Sequence, residues 1–277
     1  MSQQIEFIKE TLSLAGAELQ LRAGSERSIS TKADTSLVTD ADLASEKIIL
    51  DRIRKTFPDD EIYSEESGLV NQQGKTANTR RRAGRFVWIV DPLDGTTNYA
   101  NGYPFYCVSI GRGRYRADGS IEVVAGGVED PCRGRTYTAE LGSGAWCNGR
   151  RLSVSAPRPL AASFLVTGFH YMKGDQLKPE LERFARVAQS CQSIRRDGAA
   201  ALDLALVAAG TYDAFWEAGL QIWDLAAGVL LVAEAGGVVR NYTSQGNSPY
   251  NLEGHGVICG APAIVESLTS LIGQVNE

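Results

Sequence analysis

The stretch 88-WIVDPLDGTTNY-99 decides how this 277-residue chain is read. An apolar run of strand character, Phe86–Val90, ends on an acid, Asp91. Pro92 fixes a turn, and a second acid, Asp94, follows three places after the first, with Gly95, Thr96 and Thr97 behind it. A strand ending on Asp91 puts a carboxylate at a sheet edge, where sites commonly open. The proline brings Asp94 back toward the same space. Two carboxylates this close repel each other, and a bound divalent cation removes that cost. Oxygen donors without His or Cys suit a hard ion such as Mg²⁺. Gly95 lets backbone N–H groups approach a ligand closely. A helix beginning here adds an N-terminal anion site, and the two threonine hydroxyls are able to orient a water. Taken alone, 91-DPLDG-95 reads equally as a solvated surface turn, because Asp-Pro and Asp-Gly are common turn dipeptides.

Two further acidic features bear on that choice. One is 64-SEES-67, where Glu65 and Glu66 follow apolar Ile62-Tyr63. The other is 223-WD-224, opening an apolar helix whose dipole favours an ionised Asp in its first turn. Each alone also has an ordinary reading: a solvated acidic edge, and a core Trp beside a capping acid.

Bulk composition narrows the class. Hydrophobic residues make up 43% and charged residues 22%, enough for a full core. The length allows one large domain or two ordinary ones. Net charge is −5, and 80-RRRAGR-85 is the main basic run, so nucleic acid is not an expected partner. An anionic substrate would have to be held by metal or backbone dipoles. The N-terminus lacks the pattern of a signal peptide and no stretch is long enough for a membrane span, so a cytoplasmic location with no membrane contact is expected. Five scattered cysteines without a C-x-x-C suggest reduced thiols. His170 and His255, the two histidines, read as structural or surface residues.

Along the chain, residues 4–22 read as a helix with Ile5, Leu12 and Leu19 on one stripe. A second helix starts at an N-cap on Thr39, with Asp42 in the capping-box position, runs through Leu43, Leu50 and Phe57, and closes at Pro58. Residues 67–85 read as a mobile loop. Strands dominate 106–154, including a hairpin turned at Asn148-Gly149. Pro157 and Pro159 mark a boundary between 1–156, an α+β half with most of the acids, and 157–277, an α/β half. Beyond it strands and helices alternate, with helices at 180–190, 199–209 and 223–235, and a final helix near Pro262. Two packed layered units are implied.

Glu65-Glu66, 91-DPLDGTT-97 and 223-WDLAAG-228, in this order and at these separations, resemble the inositol monophosphatase family of Mg²⁺-dependent, lithium-sensitive phosphatases. The similarity runs from 32-KADTSLVTDAD-42 to 236-GGVV-239, and 194-IRRDGAAALDLALVAAGTYDAFWEAGLQIWDLAAG-228 is similar to its inositol monophosphatase branch and bacterial relatives. The resemblance implies a five-layered αβαβα sandwich, usually a homodimer, with two to three Mg²⁺ per site. It implies that Glu65, Asp91 and the Leu93 carbonyl bind the first ion, and Asp91, Asp94 and Asp224 the second, with a third near Glu65. It places phosphate on the backbone N–H groups of Gly95 and Thr96. The Thr96 hydroxyl, supported by Asp42 or Glu65, would orient the attacking water. Glu217 and the backbone of Gly198, Ala199 and Ala200 would line the substrate pocket, with Lys32 beside it.

Departures from the family pattern bear on the leaving group. Gln221-Ile222 stand where many relatives carry a basic residue or His, and often Pro. Asp197 stands where neutral residues are common, and reads either as a partner for Arg195 or Arg196 or as a contact for a positively charged substrate. The expected function is hydrolysis of inositol monophosphate or a similar polyol phosphate. Alternatives are histidinol phosphate, fructose 1,6-bisphosphate or 3′-phosphoadenosine nucleotide as substrate, and, in another class, a protein-binding regulatory role on the same fold. A structural Ca²⁺ module is disfavoured because the EF-hand loop pattern is absent.

Overall fold

In the computed structural model the apolar run before Asp91 becomes a central strand with both faces covered. The structure describes residues 2–23, 29–31, 37–70, 81–169, 174–242, 250–254 and 256–273, the side chains of 29–31 and Gln176 apart. His170, His255, Lys32 and 71–80 lie outside them. The first half holds helix α1 (Gln3–Ala23), strands β1 (Ile29–Thr31) and β2 (Leu37–Thr39), helix α2 (Asp40–Thr56), and strands β3 (Glu61–Ser64), β4 (Gly68–Val70) and β5 (Phe86–Asp94). A short helix α3 (Thr96–Ala100) precedes strands β6 (Cys107–Tyr115), β7 (Ile121–Asp130), β8 (Arg135–Glu140), β9 (Gly144–Cys147) and β10 (Arg150–Arg151). Then come β11 (Phe164–Thr167), α4 (Lys178–Ala188), β12 (Ser193–Arg195), α5 (Ala200–Ala208), β13 (Ala214–Ala218), α6 (Ile222–Glu234), β14 (Val238–Asn241), β15 (Gly256–Gly260) and α7 (Pro262–Gly273).

Two large sheets result. The first has the order β10-β9-β8-β7-β6-β5-β3-β4, antiparallel except where β3 runs parallel to β5. The second has the order β12-β11-β13-β15-β14, with β11 parallel to both its neighbours. Helices α1 and α2 cover one face of the first sheet, α5 and α6 fill the space between the sheets, and α4 and α7 cover the outer face of the second. This is the five-layered αβαβα sandwich.

The layering explains the hydrophobic patterns. On β5, Trp88 and Val90 pack toward α1 and α2, while Val87 and Ile89 pack toward α5 and α6. A strand covered on both faces reads as a continuous apolar run, which is what 86–90 shows. Helices α5 and α6 are apolar on nearly every side, Asp203, Asp224 and Glu234 apart, because they lie between two sheets. Gly111 and Gly126 let α6 close on β6 and β7: a Cβ at Gly111 would sit 2.8 Å from Ala226 Cβ.

Several details differ from the sequence reading. The strand does not end at Asp91 in a turn. It continues to Asp94 across a bulge, since Asp91 pairs with Ser109 and Asp94 with Cys107, leaving one extra residue on β5. Proline is tolerated there because a bulge needs no ladder donor. Strand β4 forms inside the segment read as a loop, by pairing with β3. Leu43 is 55% exposed, whereas the buried residues of α2 are Ala41, Asp42, Ser45, Glu46, Ile49, Leu50 and Ile53. The capping box of Thr39 and Asp42 and the Asn148-Gly149 hairpin are both present.

Candidate active site

Strands β3 and β5 run parallel, so their C-terminal ends open on the same side. Glu65 follows β3 directly, and its N–H donates to the Val90 carbonyl at 3.1 Å. The turn carrying it is held from below: Glu46 on α2 accepts from the Ser67 N–H at 3.0 Å and the Ser67 hydroxyl at 2.7 Å, and from the Ser64 hydroxyl. Asp91, 2% exposed, accepts from the Leu93 N–H at 3.0 Å, so its own side chain closes the bulge. Asp94 accepts from the Ala201 N–H in the first turn of α5 at 2.6 Å. Asp224, in the first turn of α6, accepts from the Gln221 N–H at 2.7 Å.

Glu65, Asp91, Leu93, Asp94, Gly95, Thr96, Gly198, Ala199, Ala200, Glu217 and Asp224 all line one pocket of about 280 Å³. Burial and mutual repulsion dominate its electrostatics. Burial, then Glu65, Asp94 and Asp224, hold the Asp91 carboxyl well above the usual carboxylate range. Burial pushes Asp94 up to about 7, with Glu65 adding to it and the Ala201 N–H opposing. Asp224 is raised by burial and by Asp94. No Lys or Arg figures among the main influences on these three groups.

As they stand, no three acidic, His or Cys side chains among the described residues form a group ready to hold an ion. The donor chemistry nevertheless fits a hard divalent cation: four carboxyl groups, a nearby carbonyl, no nitrogen or sulfur ligand, and like charges that a cation would neutralise.

Gly95 adopts a left-handed backbone, φ 90°, and a Cβ there would approach the Phe105 carbonyl at 3.0 Å and Ala199 Cβ at 3.2 Å. Both its conformation and its space demand glycine. Thr96 Oγ1 lies 3.0 Å from both Asp42 Oδ1 and the Leu93 carbonyl oxygen, with its single proton available to one at a time. Asp42 is buried, which raises its pKa, while hydrogen bonds from Thr39 and Thr96 oppose the rise.

Glu217 on β13 faces the pocket from the second sheet. Gly168 makes room for it, since a Cβ at Gly168 would lie 2.1 Å from Glu217 Oε2. Burial, Asp224 and Asp94 raise the Glu217 carboxyl, and Arg196 opposes them. Asp197 does not line the pocket, and no ion pair to Arg195 or Arg196 forms among the described residues; its carboxylate accepts from the Tyr212 hydroxyl instead.

The sequence reading left several pocket residues without a role. Asn98 donates to the Asp197 carbonyl at 2.8 Å and the Phe105 carbonyl at 2.7 Å, joining the two halves of the pocket rim. It sits inside the opening stretch, but its partners are distant in sequence. Gly168, Phe169, Arg196 and Asp203 also line the pocket, with no local motif to mark them.

The inositol monophosphatase family model matches residues 1–277. The chain belongs to that family. A Pseudomonas aeruginosa protein named Nus factor SuhB is 41% identical over 247 residues, spanning 88% of this chain and 86% of its own. An Arabidopsis thaliana protein named Phosphatase IMPL1, chloroplastic, is 39% identical over 237 residues, 84% of this chain and 61% of its own. Among solved structures, an inositol monophosphatase from Anabaena superposes with TM-score 0.81 at 35% identity, covering 98% of this chain and 96% of that one. The extragenic suppressor protein suhB from Bartonella henselae gives TM-score 0.86 at 36% identity, covering 99% and 100%. Fold and family therefore agree with the resemblance drawn from the acidic motifs.

Proposed function

We propose that this protein is a Mg²⁺-dependent phosphomonoesterase that hydrolyses inositol monophosphate or a similar polyol phosphate. The supporting observation is the placement of Glu65, Asp91, Asp94 and Asp224 around one pocket with Gly95, Thr96 and Glu217. Glu65, Asp91 and the Leu93 carbonyl would hold one ion, Asp91, Asp94 and Asp224 a second, and a third would bind near Glu65. Bound divalent cations supply positive charge that polarises a phosphate ester and lowers the pKa of water.

The chain's own residues do the positioning. Gly95 and Thr96 present backbone N–H groups to the phosphate. With its proton given to Asp42, the Thr96 hydroxyl keeps lone pairs to accept a hydrogen from the attacking water and aim its oxygen at phosphorus. Glu217 and the backbone of Gly198, Ala199 and Ala200 hold the departing alcohol. Phosphoryl transfer depends on such positioning and charge, so no His or Cys nucleophile is required. A homodimer in the cytoplasm and inhibition by Li⁺ belong to the same reading.

The test is release of inorganic phosphate by the purified protein with Mg²⁺ from inositol 1-phosphate, histidinol phosphate, fructose 1,6-bisphosphate and 3′-phosphoadenosine 5′-phosphate. Inositol 1-phosphate is expected to be turned over fastest. Turnover of histidinol phosphate alone would overturn the polyol assignment.

The name Nus factor, carried by relatives at 40–41% identity, favours a second reading: a regulatory role exerted through protein binding. Asp94→Asn separates the two. Loss of hydrolysis with an unchanged cellular phenotype would make binding the role that matters to the cell.

A further inference from the structure

Two segments far apart in sequence lie side by side at the pocket. One runs from Asp94 through α3, the other from Asp197 into α5. Three contacts join them in order. Asp94 Oδ2 accepts from the Ala201 N–H at 2.6 Å. A Cβ at Gly95 would lie 3.2 Å from Ala199 Cβ, so the Gly95 backbone rests against that side chain. Asn98 Nδ2 donates to the Asp197 carbonyl at 2.8 Å, and a Cβ at Gly198 would lie 3.3 Å from the same nitrogen. As the first segment ascends from 94 to 98, its contacts on the second descend from 201 to 197. The segments are therefore in antiparallel register.

Asn98 is the tie in that register with no charge and no part in the proposed cation site. Its amide nitrogen carries two hydrogens, and both are used: the second goes to the Phe105 carbonyl at 2.7 Å. That carbonyl oxygen is the atom a Cβ at Gly95 would approach at 3.0 Å. One side chain thus fixes the backbone packed on Gly95 and the backbone leading into Ala199. The Asn98 carbonyl in turn accepts from the Tyr103 N–H at 2.9 Å. Helix α3 has five residues, too few to hold its own direction, so these tertiary bonds set it. Asn98 lines the pocket, but its amide has no hydrogen left to offer a ligand.

We propose that Asn98 is a positioning residue that locks the alcohol-holding backbone of Gly198, Ala199 and Ala200 in register with the phosphate-holding Gly95 and Thr96. This rests on the phosphomonoesterase reading above and deepens it. The bond to be broken lies between the parts of the ester that the two segments hold. A misplacement of about 1 Å there costs on the order of 100-fold in rate. The lock matters most for an ester whose alcohol is itself held, and least for one whose leaving group departs without being held.

The experiment measures kcat/KM with Mg²⁺ for inositol 1-phosphate and for p-nitrophenyl phosphate, whose leaving group is a stable phenolate without ring hydroxyls. Inhibition by inorganic phosphate is measured beside them. Wild type and Asn98→Ala are compared well below the Tm of each. Asn98→Ser, too short to reach either carbonyl, gives the same comparison where Asn98→Ala does not fold. Inositol 1-phosphate should lose ~10–100-fold in the variant. Turnover of p-nitrophenyl phosphate and inhibition by inorganic phosphate should stay close to wild type, because the phosphate-holding segment is intact. Equal losses on both esters would mark general damage and overturn the inference, as would no loss on either. Wild-type protein that does not hydrolyse inositol 1-phosphate would instead overturn the reading on which the inference rests.

Discussion

Asp94 Oδ2 accepts a hydrogen bond from the Ala201 N–H at 2.6 Å, so an acid on the β5 bulge is tied to the first turn of a helix 107 residues further along the chain. That bond sets the distance between the strand-end carboxyls and the pocket wall formed by Gly198, Ala199 and Ala200. Asp94→Asn keeps an acceptor for Ala201 and removes the charge. Its Tm should match or exceed that of the wild type. Its kcat should fall by more than the ~10–100-fold that losing a mere supporting contact to a metal ligand costs. Steady-state kinetics beside thermal denaturation reads both.

Glu46 shapes the site without lining it. It accepts from Ser64 and twice from Ser67, and so fixes the turn that carries Glu65. Glu46→Ala strands those donors at a cost of roughly 1–3 kcal/mol each where they stay buried. The variant should lose stability and need more Mg²⁺ for half-maximal activity, measured by denaturant titration and a Mg²⁺ titration of phosphate release.

Gly168 and Glu217 form a second supporting pair. A methyl group at residue 168 would overlap the Glu217 carboxyl, 2.1 Å from Oε2. Gly168→Ala must push the Glu217 carboxyl, the far end of a flexible side chain, off its position, with little loss of stability. Because Glu217 is assigned to the alcohol, the expected signature is a raised KM for inositol 1-phosphate with a smaller change in kcat.

These predictions rest on features of unequal legibility. The capping box at Thr39, the hairpin at Asn148-Gly149 and the buried run 86–90 each declare themselves locally, because cap, turn and strand chemistry act over a few residues. The bulge between Asp91 and Asp94 does not: it exists only in the pairing of β5 with β6, which no spacing inside 91–94 reveals. Leu43 and Leu50 share a seven-residue stripe, yet only Leu50 is buried. Periodicity gives the face of a helix, not how far along it the cover extends. Asp203 was silent for a different reason. A lone acid in an apolar helix signals nothing until the structure shows it lining the pocket, its Oδ1 buried without a hydrogen bond among the described residues.

The acidic cluster also sets a pH dependence. The Asp94 carboxyl is raised from the usual 3.8 to about 7, and Asp91 and Asp224 move the same way. A group with a raised folded-state pKa contributes stability that is full below its unfolded pKa and lost as pH rises through its folded pKa. The cation-free protein should therefore lose Tm between about pH 5.5 and about pH 8, and added Mg²⁺ should restore more at the higher pH, since binding to the folded state alone stabilises it. Scanning fluorimetry with EDTA and with Mg²⁺ across that range measures it; a Tm that rises with pH in EDTA and ignores Mg²⁺ would contradict it.

In the proposed function, Glu65, Asp91, Asp94 and Asp224 form a divalent-cation site that drives hydrolysis of a phosphate monoester. The most direct measurement is phosphate release from inositol 1-phosphate by EDTA-treated protein as Mg²⁺ is added back. No release is expected without the cation, saturable recovery with it, and none in Asp94→Asn. Release that persists in EDTA, or its complete absence at saturating Mg²⁺, would contradict it.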